Sequence, residues 1–206
     1  MLALTLTALA GFVDAVGYAQ LGHLFLSFMS GNTTHLGMSL AASAFGEALS
    51  ALLLIASFVA GVWFGTILFD RNSTSQLRVV LTAEMIIIVL AIGLGLLGVE
   101  QVPLMMVASA MGMQNVLHQS FAAADMGKGF ITGSLFSLGQ SLARKGGAAL
   151  AAHDSFSWLA FLIGVVLGGV SFSHIGLYPS LAVTALLIAG MIAATKGAEV
   201  AGFLEG

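Results

Sequence analysis

The chain has no cysteine among its 206 residues. That excludes a disulfide framework, a thiolate metal site and a cysteine nucleophile. It also has very little charge. Charged residues make up 7% of the chain, against about 25% in a soluble domain. So few charges cannot coat a globular surface, and the chain reads as one whose solvent is lipid. The net charge of −3 offers no basic surface for nucleic acid. No two histidines stand i, i+4 on one helix, so no metal site is expected, and no cofactor is implied. What the chain does have is apolar residues: 59% of the total, with a mean hydropathy of +1.06. Its length suits a single transmembrane domain over residues 1–206.

One apolar sentence occurs twice. Residues 28–41 read FMSGNTTHLGMSLA and residues 130–143 read FITGSLFSLGQSLA. At an offset of 102, Phe28, Gly31, Leu36, Gly37 and Ser39 meet Phe130, Gly133, Leu138, Gly139 and Ser141. Ser30 meets Thr132 and Asn32 meets Ser134. Upstream, at offset 101, Gly11 meets Gly112 and Asp14 meets Asn115. Downstream, at offset 103, Phe58, Gly61 and Gly65 meet Phe161, Gly164 and Gly168. This defines repeat A, about 1–98, and repeat B, about 102–196. Duplicated apolar units, each interrupted by a small polar patch, are a pattern of transporters built on internal repeats.

Long runs without Lys or Arg give six spans, two of them holding one acid each (Asp14 and Glu84): Leu2–Gln20, Ala48–Phe69, Val79–Val99, Val102–Ala124, Ser155–Phe172 and Leu177–Thr195. Ala48–Phe69 alone supplies roughly 30 Å of helix. The first run resembles the core of a signal peptide. No Lys or Arg precedes it, however, and Asp14 stands where a small-residue cleavage site would lie. It is read as the first helix of the fold. Segments 24–45 and 129–143 carry the polar patches and read as broken or re-entrant helices. If both return to the side they entered, Arg71, Arg78, Lys128, Arg144, Lys145 and Lys196 share one side with the N-terminus. If both cross, giving eight spans, the basic residues divide three against three. The positive-inside rule favours six crossings with a cytoplasmic N-terminus. Three crossings per repeat make the two repeats inverted. The expected fold is therefore all-α, two inverted repeats of three transmembrane helices plus one broken helix each.

Ser30, Asn32 and Thr33 read as N-caps of a half-helix from Leu36 to Phe45, and Thr132 and Ser134 as caps before Leu135–Arg144. Two such N-termini meeting at the midplane would form a polar cavity. Asp14 lies deep in a span, where a carboxylate is expensive and functional by default. The competing role is structural, a tie from the first helix to the SGNTT break. Glu84 reads either as a second proton-coupling acid or as an interfacial anchor paired with Arg78. His35 suits solute binding or proton transfer beside Asn32. Gln114 and Asn115 are amides inside an apolar helix, suited to a cavity or to helix adhesion. The Gly61/Gly65 and Gly164/Gly168 pairs suit an internal interface or a homodimer seam.

The run AGFVDAVGYAQLGHLFLSFMSGNTTHLG, from Ala10 to Gly37, resembles the DUF1275 family, also called the YoaK-like family, of multi-pass membrane proteins. Gly112-Met113-Gln114-Asn115 and Phe130-Ile131-Thr132-Gly133 look like that family's G-x-Q-N and V-T-G-T signatures. The family is one of unknown function, so the resemblance implies a fold class and no substrate. The leading expectation is a small-solute transporter or channel of the bacterial inner membrane, non-enzymatic, with lipid and one unnamed solute as partners. A non-transporting scaffold or sensor is the alternative. An intramembrane hydrolase is a minor one: Ser30-Gly31 near His35 faintly resembles a rhomboid-type dyad. However, the Gly expected two residues before the Ser is Phe28, and both groups share one segment.

Overall fold

A computed structural model describes residues 2–71, 76–99, 101–121, 130–144 and 147–204. Among them the chain is all helix, in eight elements: α1 (Leu2–Gln20), α2 (Met29–Ala41), α3 (Phe45–Arg71), α4 (Gln76–Leu96), α5 (Val102–Phe121), α6 (Phe130–Ala143), α7 (Ala148–Ile175) and α8 (Leu177–Leu204). Five candidate membrane spans are long and apolar enough to cross a bilayer: α1, α3, α4, α7 and the Leu177–Thr195 part of α8. A sixth, α5, carries a shorter apolar stretch, Val102–Leu117. Both prolines, Pro103 and Pro179, stand in first turns, where a missing N–H breaks no helical bond. Gly176 closes α7 at φ +77 and lets α8 begin one residue later. That left-handed conformation is open to glycine at little cost.

The centre of the bundle is α1 and α5. Val13 and Val16 on α1 and Val107, Ala110 and Met111 on α5 are fully buried. The outer helices show apolar side chains outward instead, among them Val59, Trp63, Ile163, Val166 and Leu186. A surface of that kind belongs against lipid acyl chains.

Glycine sets the central contacts. α1 packs chiefly on α7 and α5 chiefly on α3. A Cβ on Gly11 would strike the Phe161 carbonyl, and one on Gly112 would strike the Phe58 carbonyl. Gly164 abuts the Ala8 carbonyl and Gly61 the Ser109 carbonyl. Gly168 abuts the Phe12 backbone and Gly65 the Met113 backbone. Each pair is the repeat image of the other, at offsets 101 and 103. The two halves thus grip each other by exchanged, matching contacts.

The polar patches are not helix breaks. α2 is continuous from Met29, with Phe28 in the cap position and no side-chain cap bond. Ser30, Asn32 and Thr33 therefore lie inside its first turns rather than capping a later half-helix. Thr132 and Ser134 likewise lie inside α6. The irregular backbone of repeat A comes earlier, at 21–28. α2 packs on α3 and α6 on α7. Among the described residues α2 and α6 share no contact.

Candidate functional site

Residues 21–28 fold back along α1. Asp14, one-and-a-half turns or so from the end of α1, accepts hydrogen bonds from the Leu26 N–H at 2.9 Å and from the Ser27 N–H. Its second oxygen accepts from Ser27 Oγ at 2.7 Å. Asn32 grips the same loop from α2. Its Oδ1 accepts from the Phe25 N–H and its Nδ2 donates to the Phe25 carbonyl, both at 2.8 Å. Asp14 and Asn32 are both buried. Together they satisfy backbone groups that no helix satisfies, which is the condition for irregular chain in an apolar bundle.

The loop and α2 form a hairpin that descends as irregular chain and returns as helix. Its return brings His35 to α3, where Nε2 lies 3.7 Å from Glu47 Oε2. Ser39 Oγ donates to the same carboxylate at 3.3 Å. An open cleft of about 300 Å³ lies here, between Leu21–Leu24 on one side and His35, Glu47 and Ser50 on the other. Its floor includes Gly22 and His23, at φ +63 and +79. A histidine in that region is uncommon and marks a constrained turn. The His23 ring stacks edge-on against Tyr18 at 4.8 Å, and Tyr18 meets Phe25 at 5.1 Å. One imidazole pair, one carboxylate and one hydroxyl give the cleft donors and acceptors for a small polar solute.

The residues anticipated from sequence thus divide. Asp14 and Asn32 meet on one hairpin, and His35 stands at its outer end. Ser30 and Thr33 are exposed on α2, and the Thr33 hydroxyl donates to the Met29 carbonyl of its own helix. Asn115, the repeat mate of Asp14, donates to the Met111 carbonyl at 3.1 Å. The loop it would grip by symmetry, like Lys128 and Lys145, lies outside the described residues. Thr132 is exposed and Ser134 half-buried on α6, remote from the hairpin of repeat A. Gln114 is buried on α5. Glu84 is fully buried on α4, and neither of its oxygens has a hydrogen-bond partner, so the expected pairing with Arg78 does not occur. Sequence reasoning missed Ser27, Glu47 and His23. Glu47 had a usable signal: a carboxylate in the first turn of α3, twelve residues past His35 across a tight reversal.

Among the described residues no three His, Asp or Glu side chains are placed to share a metal ion. Apolar helices of spanning length and an apolar outer surface define a multi-pass helical membrane protein. The chain belongs to the DUF1275 family, described as "Protein of unknown function (DUF1275)", which matches residues 2–194. It is also similar to the UPF0700 transmembrane protein YoaK of Bacillus subtilis (strain 168), with 26% identity over 136 residues. That match covers 63% of this chain and 60% of the relative, so the chain spans less than two thirds of that protein's length. No solved structure matches the chain.

Proposed function

We propose that the chain is a small-solute transporter of the bacterial plasma membrane, with two inverted repeats and a solute path that begins at the His35–Glu47 cleft. The observation that carries this reading is the exchange of glycine contacts between the halves. Reciprocal contacts of this kind are what a two-fold relation generates. The hairpin of repeat A goes in and comes back, since Leu26 sits at the level of Asp14 while His35 returns to the start of α3. α1, α3 and α4 are then three crossings, and α5 starts on the opposite side from α1. The repeats are inverted, and the six basic residues gather on the cytoplasmic side with the N-terminus. Inverted repeats with re-entrant hairpins suit alternating access, each half taking the other's conformation in turn. The reading assigns no catalytic step: Ser30 and His35 share one helix and, among the described residues, have no common partner.

The scaffold or sensor reading has one observation of its own. The α1–α7 and α3–α5 contacts are glycine against backbone, and α2 and α6 do not meet. Proteoliposomes and a broad metabolite panel separate the two. A transporter is expected to show solute flux, thermal stabilisation by the same solute, and loss of both in Glu47→Ala. A chain that no solute stabilises and that passes none supports the scaffold.

A further inference from the structure

Among the buried polar side chains that belong neither to the hairpin nor to the cleft, two stand on neighbouring helices without partners. Glu84 on α4 is 0% exposed with both carboxyl oxygens unpartnered. Gln114 on α5 is 4% exposed, and its Nε2 is buried without a partner. α4 and α5 pack together and are joined by a short turn, α4 ending at Leu96 and α5 starting at Val102. Glu84 is twelve residues before that end and Gln114 twelve residues after that start. Both therefore lie about 18 Å from the turn, at one level of an antiparallel pair, and neither side chain is bonded to the other here, so closing a pair takes a rotamer change.

A carboxylate buried without donor or countercharge is among the least favourable groups a protein can hold. One proton removes the charge. A protonated carboxyl and a primary amide are then complementary: the acid O–H donates to the amide oxygen, and the amide N–H donates to the acid carbonyl. We propose that Glu84 and Gln114 form a proton-binding site, in which the carboxylate takes one proton from water and closes this two-bond pair with the amide. The surrounding helices supply little that could replace the proton. α4 itself offers Arg78, six residues away, and α5 offers His118, one turn beyond Gln114. α3 offers Asp70 and Arg71 at its end and Glu47 at its start. α8 has no titratable residue between Tyr178, packed at Gly95 near the far end of α4, and Lys196. As a coupling site for solute movement the pair rests on the transporter reading; as a proton site it does not.

Infrared difference spectroscopy of the chain in lipid vesicles tests this without any solute. At neutral pH the wild type is expected to show a protonated-carboxyl band that moves when glutamate is isotope-labelled and fades as the pH is raised. The band should be absent in Glu84→Gln and shifted to higher frequency in Gln114→Leu, where the carboxyl loses its partner. The glutamate labelling needs no variant, so a folding defect in Glu84→Gln leaves the assignment intact. A glutamate band absent at neutral pH, undiminished under strongly alkaline conditions, or unmoved by Gln114→Leu overturns the proposal. Because the band is read with no solute present, failure of the transport assay leaves it standing.

Discussion

Replacing Asp14 with alanine and with asparagine separates what its carboxyl oxygens do. Both backbone donors, Leu26 N–H and Ser27 N–H, go to Oδ1, while the Ser27 hydroxyl goes to Oδ2. Alanine leaves two backbone N–H groups without an acceptor. Buried unpaired groups cost about 1–3 kcal/mol each in soluble proteins, but hydrogen bonds inside membrane proteins average nearer 0.6, with a maximum of about 1.7. The membrane values apply here, so Asp14→Ala should destabilise the hairpin by about 1–3 kcal/mol. That is roughly a 5- to 150-fold rise in local opening. Asparagine keeps an oxygen in the Oδ1 place, and its amide nitrogen faces a serine hydroxyl that can rotate to accept. Asp14→Asn should therefore cost under about 1 kcal/mol. Hydrogen exchange of the peptide spanning 21–34, read by mass spectrometry in detergent, measures the difference. Equal protection in the two variants would refute the clamp.

Other substitutions follow from the same geometry. Gly164→Ala and Gly61→Ala place a methyl against the Ala8 and Ser109 carbonyls, and each should lower thermal stability by about 1–3 kcal/mol. Gly37→Ala, where nothing lies within 4 Å, should be neutral or gain up to about 1 kcal/mol of helix propensity. Melting curves in one detergent compare all three. Asn32→Leu removes both bonds to Phe25 and should expose the hairpin to exchange much as Asp14→Ala does, the test being the same peptide. Glu47→Gln should leave the melting temperature nearly unchanged, because its contact with His35 is largely exposed and such pairs are weak; a large drop would show that the cleft pair holds the fold.

The spans and the repeat were legible because they rest on local or periodic signals. Uncharged runs of spanning length need no tertiary knowledge. Gly11, Gly61 and Gly65 recur as Gly112, Gly164 and Gly168 because each must let a neighbouring backbone approach. The family likeness, drawn from Ala10–Gly37 and the second-repeat motifs, agrees with the family that matches residues 2–194. Asp14 and Asn32 stood out as costly polar groups in apolar surroundings. The position of the irregular chain did not show. Leu24-Phe25-Leu26 is as apolar as a helix interior, and its irregular form is held by bonds from residues 7 and 12 positions away. The separation of α2 from α6 was equally hidden, since periodicity tells which face is buried and not which helix buries it. Glu47 looked like an ordinary solvated acid at a helix start until His35 was seen beside it.

The proposed inversion of the two repeats is open to one direct measurement. The chain has no native cysteine, so single-cysteine variants can be labelled without background. Gly46 and Ala149 are repeat mates in the first turns of α3 and α7, and both are exposed. With inverted repeats, a membrane-impermeant maleimide added to intact cells should label Gly46→Cys and should reach Ala149→Cys only after permeabilisation. Labelling of both from the same side would contradict the inverted architecture, and with it the transporter reading built on it.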